Sequence, residues 1–249
     1  MQETSGDFID VIGGLHATTV GTITYAQSFG LGGIPNSAFF SGAGTGLSVA
    51  DAVALRITGD VTIEVWFNAN GVSTNQQIYS KGNQSYTQYF NSLGSIVFAA
   101  DSVANYYVSN TGLILASTIY HFVSTRSGNT ETGYLNGAAA AGASGSSSQA
   151  ALGNAGTAST IANTGGVNPF GGKMAMLAIY NKALSAGQIS AHYSARNSSA
   201  GGSTGTSNTA PPGQAVAALA HDRNLLRKED QQPGRRLRIS DYHKHRRHG

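Results

Sequence analysis

The chain contains no cysteine, one tryptophan, three methionines and five prolines in 249 residues. Without cysteine there is no disulfide framework, no thiolate zinc site and no cysteine nucleophile. The compartment stays open, because a body of about 200 residues buries roughly 70% of its unfolded surface and needs no covalent staple. Charge is also scarce: Asp, Glu, Lys and Arg make up 11% of the chain, against about 25% in an average globular domain. Low charge beside 33 glycines argues against a coiled coil or a long helical bundle. A hydrophobic share of 40% argues against a wholly disordered chain. No run approaches the roughly 18 apolar residues of a membrane span. Met1–Gly6 has no basic stretch followed by an apolar one, so no Sec signal peptide is read there. The chain is then expected to stay where it is made, to leave by another route, or to derive from a longer parent.

The charge that is present is unevenly placed. Residues 1–220 carry 6 Lys and Arg against 8 Asp and Glu; residues 221–249 carry 9 against 4, with four of the seven histidines. The basic character therefore belongs to the C-terminal segment. The body is slightly acidic and gives no electrostatic case for nucleic acid, which is expected only through the tail, if at all.

Strand signals recur through residues 1–183. In Val61–Phe67, Val61, Ile63, Val65 and Phe67 fall on one face and Thr62, Glu64 and Trp66 on the other, the period of a pleated strand. Ser95–Ala100, Ile119–Thr125 and Gly133–Leu135 are further β-rich runs. Asn70-Gly71, Lys81-Gly82-Asn83, Ser127-Gly128-Asn129 and Asn136-Gly137 punctuate them with residues that tolerate φ > 0. Leu184–Ile189 predicts a helix start: Ser185 as N-cap, Gln188 as its reciprocal partner, and Leu184 stapled to Ile189. The helix is expected to run to about Ala195 and to pack through Ile189 and Tyr193. Ala138–Ala151, nearly all Ala, Gly and Ser, reads as a loose loop between strands. Residues 197–214 read as a flexible Gly/Ser/Thr linker. Residues 215–249 read as a disordered basic tail, with a short helix conceivable over Ala215–Lys228.

Seven ordered segments resemble the laminin-G-like, concanavalin A-like jelly-roll family of bacterial and phage multidomain proteins. They are Glu3-Thr4-Ser5-Gly6, Ala38–Gly42, Val61–Phe67, Ile78-Tyr79-Ser80-Lys81-Gly82, Tyr120-His121-Phe122-Val123, Tyr134-Leu135-Asn136-Gly137 and Phe170–Ser185. The resemblance covers about residues 2–196, taken as one domain. It implies an all-β, two-sheet antiparallel jelly-roll sandwich with one short C-terminal helix. Two departures matter. The family's apolar strand before Glu3 is missing, which implies an edge strand that is shortened or absent, or a chain that is a fragment of a longer protein. The family's Ile-Asp-Glu-Val stands here as Met174-Ala175-Met176-Leu177, so Ala175 replaces the carboxylate of a structural calcium site. Ca²⁺ needs six to eight oxygens; Glu3, Asp7 and Asp10 remain, and no metal or other cofactor is expected.

Hydrolases of this superfold place two carboxylates about 5–5.5 Å apart when they retain configuration. The body's acids, Glu3, Asp7, Asp10, Asp51, Asp60, Glu64, Asp101 and Glu131, never fall two apart on one strand, and residues 1–196 contain no Gly-x-Ser-x-Gly elbow. A non-enzyme is expected. Trp66 has two readings, a stacking platform for a sugar ring or a space-filling ring with its N–H bonded locally; its place on a regular strand favours the second. His121 has no second ligand at metal spacing and reads as structural. Tyr86, Tyr89, Tyr106 and Tyr107, set among Asn, Gln and Thr, read equally as sugar-binding loop residues or as half-buried strands. In the tail, Arg235, Arg236, Arg238, Lys244, Arg246 and Arg247 are candidates for phosphates or an acidic partner.

The function expected is a non-catalytic recognition module that grips glycans or a cell-surface polymer with loops at one rim, in an extracellular or virion-associated setting. The alternative is an assembly component of a virion or surface filament, contacting neighbouring subunits through its N-terminal sheet edge and basic tail. A polysaccharide hydrolase or lyase is the weaker alternative.

Overall fold

The computed structural model describes residues 6–10, 12–42, 44–82, 85–100, 104–144, 152–154, 156–162, 167–198 and 215–219; the side chains of 100, 104–106, 143–144 and 215–219 lie outside that description. The described strands are β1 (Ala17–Val20), β2 (Ile23–Leu31), β3 (Ile34–Ser41), β4 (Gly46–Val49), β5 (Val61–Ala69) and β6 (Gln76–Ser80). There follow β7 (Tyr86–Phe90), β8 (Ile96–Ala100), β9 (Ala104–Ser109), β10 (Ile119–Ser127) and β11 (Thr130–Leu135). The last are β12 (Ala138–Ala139), β13 (Gly142–Ser144), β14 (Ser159–Ile161), β15 (Gly171–Tyr180) and β16 (Ala215–Leu219), with one α-helix, α1 (Ala186–Ser194), between β15 and β16.

Two antiparallel sheets form the jelly-roll sandwich. The first has the order β1-β4-β14-β6-β7-β8-β9-β13. The second runs β12-β11-β10-β5-β15-β3-β2, with β16 also paired to β15. The alternation in β5 is realised: Val61, Ile63, Val65 and Phe67 enter the core between the sheets, and the opposite face carries Glu64 and Trp66 under α1. Opposite them, Tyr86, Phe90, Ile96 and Phe98 pack inward from the first sheet. Gln88, also inward, donates to the Ile63 carbonyl (3.1 Å) and the Ser124 hydroxyl (3.0 Å), so its burial leaves the amide nitrogen satisfied.

Helix α1 starts where its sequence directs. The Ser185 hydroxyl accepts from the Gln188 N–H (3.2 Å) and the Gln188 side chain accepts from the Ser185 N–H (3.0 Å), two otherwise orphaned donors satisfied together. Leu184 and Ile189 are buried in one cluster with Val123, Ala178 and Tyr180. The helix thus lies across the outer face of the second sheet. At the predicted turn Asn136-Gly137, both residues take positive φ (53° and 82°), as a tight hairpin demands.

Three expectations need correction. Ala215–Leu219 forms no helix: it is a strand paired to β15, from Tyr180↔Ala215 to Leu177↔Leu219. Ala138–Ala151 is not uniformly loop, since β12 pairs β11 and β13 pairs β9. The N-terminal edge strand is not absent: β1 pairs β4, and Phe8 adds one isolated bridge to Ala17 through two backbone hydrogen bonds of 2.8 and 2.9 Å.

Candidate functional site

The strands of a sandwich leave loops at two ends, and here the two ends differ in charge. At one end β5 begins and β6, β8, β10 and β15 finish. Asp51 pairs there with Arg56 and with the Lys81 ammonium (2.8 Å). Lys81 is fully buried and also donates to the Thr157 carbonyl. The hydrogen bonds from Arg56 and then Lys81 hold the Asp51 carboxyl well below the usual carboxylate range. Asp60 accepts from the Gly128 N–H (2.7 Å), and buried Arg126 and Glu131 lie 3.7 Å apart.

The loops of the other end, 70–77, 91–95, 110–118 and 167–171, contain no Asp, Glu, Lys, Arg or His. Turn-forming residues build it and hydrogen bonds lock its loops together. The Asn91 carboxamide oxygen accepts from the Leu93 and Ser95 N–H groups (both 3.0 Å), an Asx turn. The Asn75 oxygen accepts from the Ser92 N–H (3.0 Å), joining the first two loops. The Leu93 carbonyl accepts from the Gly112 N–H (2.8 Å), and the Gly94 carbonyl from Leu113 and Ile114 (both 3.0 Å). The Asn168 carbonyl accepts from the Gln77 N–H (2.9 Å). Gly94 is required at this junction: its φ is +71°, and a Cβ would stand 2.8 Å from the Ile114 carbonyl oxygen.

On this locked frame Leu93, Leu115 and Val167 project with 64%, 58% and 69% exposure, three of the five exposed large hydrophobic residues among those described. Ser92, Asn110, Thr111 and Asn168 are exposed beside them. The uncharged end continues onto the outer face of the first sheet, where the half-buried Gln77 and Tyr89 stand in register. Chemically this end offers apolar contact, hydroxyls and amides, with no titratable group for acid–base work.

The predicted aromatic residues divide accordingly. Tyr89 is half-buried, one residue from the end of β7, and borders the uncharged rim. Trp66 does not: it is 1% exposed, its ring stacked on His121 (4.5 Å between centroids) and on Tyr193 of α1 (5.8 Å). That corrects the sugar-platform reading, since no face of the indole is left for a ligand. Tyr86 is equally removed, fully buried with its hydroxyl donated to the Leu55 carbonyl (2.8 Å). Tyr107 is 4% exposed and its hydroxyl donates to the Ala140 carbonyl. Burial pushes the hydroxyl pKa of both upward, as it does for Tyr79, pushed up to about 12. The side chain of Tyr106 and the tail residues Arg235, Arg236, Arg238, Lys244, Arg246 and Arg247 lie outside the described residues.

The acids are engaged in holding the fold. Glu64 is fully buried and accepts from His121 Nε2 (2.7 Å), Tyr180 Oη (2.9 Å) and His192 Nδ1 (3.0 Å). Burial alone would raise its pKa, but the charge of His192 and the hydrogen bonds from both histidines hold the carboxyl below its ordinary range. The Asp10 carboxylate accepts from the Ile12, Gly13 and Leu15 N–H groups at 2.8, 3.0 and 2.9 Å. Asp7 accepts from the Thr19 N–H. Ala175 is buried with Phe29, Ile34 and Trp66 in an apolar cluster. Ala175 brings no side-chain oxygen there, and no group of three His, Asp or Glu that could hold a metal occurs among the described residues. Sequence reasoning expected a binding rim but did not name these rim residues. Their signal was present as four charge-free loops, but only the fold shows that they share one end.

A family model described as the concanavalin A-like lectin/glucanases superfamily matches residues 41–190. No curated protein sequence matches the chain. Among solved structures, domain 4 of AbnA, a GH43 extracellular arabinanase from Geobacillus stearothermophilus in complex with arabinotriose, is similar with a TM-score of 0.55 at 17% identity, covering 69% of this chain and 81% of that one. A sialidase from Trypanosoma rangeli is similar with a TM-score of 0.58 at 14% identity, over 79% of this chain and 32% of that one. The receptor-binding domain of botulinum neurotoxin C/D mosaic serotype is similar with a TM-score of 0.52 at 10% identity, over 78% and 52%. At these identities the likeness is one of fold. No helix among the described residues is long and apolar enough to cross a membrane.

Proposed function

The chain belongs to the concanavalin A-like lectin/glucanase superfamily, and from that premise we propose that it is a non-catalytic module that binds neutral glycans at its uncharged rim. The observation that carries this reading is the rim's chemistry. Leu93, Leu115 and Val167 present apolar surface for the C–H faces of sugar rings. Asn110, Asn168, Ser92 and Thr111 stand beside them with donors and acceptors for hydroxyls. No charged side chain adds a desolvation penalty there. The hydrogen bonds between the loops lower the ordering cost of binding. The described acids are committed elsewhere, to α1, to loop amides or to cations, which supports binding without bond cleavage. The arabinanase domain held with arabinotriose makes neutral arabinose oligomers a sensible first probe. The setting that suits such a module is a cell exterior or a virion surface, where polymers of this kind are met.

Affinity electrophoresis through gels containing neutral or anionic polysaccharides tests this. Retardation by at least one neutral polymer is expected, unchanged between low and high salt and lost in the Leu93→Asp, Val167→Asp double variant. Retardation only by anionic polymers with steep salt dependence, or release of new reducing ends, contradicts it.

A further inference from the structure

Strand β15 is flanked on one side by β5 along nearly its whole length, from Gly172↔Ala69 to Tyr180↔Thr62. On its other side β3 pairs only Gly171–Met174, with Ser41–Ala38. The stretch Leu177–Tyr180 therefore offers a short strand-accepting slot, because alternate backbone N–H and C=O groups of a central strand need partners on both flanks. Residues Ala215–Leu219 occupy it, antiparallel, in four register pairs with one irregularity between Ile179 and Tyr180. They reach it from Ser198, where the turn after α1 ends, through residues 199–214, which are rich in Gly, Ser and Thr.

We propose that this slot also accepts Ala215–Leu219 from a second copy of the chain, so that copies link by strand exchange. Three features carry the inference. The slot's occupant is the last described strand and pairs no described strand except β15, so exchanging it disturbs no other described pairing. Its pairing is short, so occupancy depends on local concentration rather than on an extensive interface. A Gly/Ser/Thr-rich leash of that length has an r.m.s. reach of about 20 Å, which supplies its own strand at an effective concentration on the order of 1 mM. A neighbour's strand competes once copies are concentrated to that level, as on a crowded surface. Main-chain ladders of this kind are an established mode of partner recognition, and an identical element makes the exchange symmetric.

The absence of cysteine gives a clean test on the full chain. Ala178 and Ala218 are register partners, at a separation that a disulfide spans. An Ala178→Cys chain and a differently tagged Ala218→Cys chain can form that disulfide only between molecules. Mixed and oxidised, they should give a disulfide-linked heterodimer whose yield rises at least tenfold between about 10 µM and 1 mM protein, the range that brackets the leash's own effective concentration. Adding Ala217→Pro to the Ala218→Cys chain should hold the yield at background, the level set by pairing the Ala178→Cys chain with a Ser203→Cys chain. The double variant Ala178→Cys, Ala218→Cys should close within one molecule at low concentration, which shows that the slot is formed and occupied. Intramolecular closure with no heterodimer above the control at any concentration overturns the proposal. So does heterodimer formation that survives the proline, since it would arise from another contact.

Discussion

The two ends of the sandwich are built from the same kinds of turn and differ in what their side chains are committed to. At the charged end, Asp51 pairs with both Arg56 and Lys81, and Lys81 is drawn completely inside. Asp60 and Arg126 bond to the Gly128 backbone. These groups close the end of the fold through ion pairs and backbone bonds, with Arg56 and Asp60 still exposed. At the uncharged end the loops are joined by backbone and Asn carboxamide bonds. Their side chains, Leu93, Leu115, Val167, Asn110 and Asn168, consequently face outward. Polar commitment inward marks the end that stabilises; backbone commitment with exposed side chains marks the end proposed to bind.

The sharpest way to break this contrast is to attack the charged end. Lys81→Met strips the buried cation from Asp51 and from the Thr157 carbonyl. It should lower the urea midpoint more than any other single substitution named here, while glycan retention at the opposite end changes less than twofold. Acid should act in the same direction through the carboxyls. Glu64 and Asp51 are held below their ordinary range. Their stabilisation is therefore complete above the unfolded carboxylate pKa of about 4 and is lost as the pH falls from there through the depressed folded values. Urea midpoints measured from pH 7 to pH 3 should decline most at the acid end, and Glu64→Gln should flatten that decline. At the uncharged end the effects reverse. Leu93→Asp should weaken glycan binding at least tenfold, about 1.4 kcal/mol, with stability within about 0.5 kcal/mol of the parent. Smallest on binding, Ser185→Ala at the start of α1 should remove the helix cap for about 1 kcal/mol of stability and leave glycan retention unchanged.

Much of this architecture could be read from the chain because single strands and caps carry local signals. The Val61–Phe67 alternation assigned the core face of β5 correctly, since period-2 patterning survives any tertiary context. Ser185 and Gln188 announced α1, because a capping box is satisfied entirely within four residues. The misplaced elements lacked such signals. Ala215–Leu219 has no polar alternation, and its strand state comes from an open flank on β15, which no local pattern encodes. Trp66, Tyr86 and Tyr107 carried the residue types of a sugar site, yet α1, the core and the Ala140 carbonyl beside β12 claim them. Tyr89 alone of the described four borders the rim. The rim residues were invisible for the opposite reason: Asn75, Asn91 and Gly94 look like ordinary turn formers, and they are. What singles them out is the shared absence of charge across four loops far apart in the chain, a property of the assembled end.

The most direct measurement of the central claim is a backbone-amide NMR titration of the intact chain with a panel of neutral oligosaccharides. Shifts should concentrate in residues 70–77, 91–95, 110–118 and 167–171, with Tyr89 at their border. Shifts centred instead on residues 50–60, 127–129 and 181–185, or no saturable shift with any member of the panel, would contradict it.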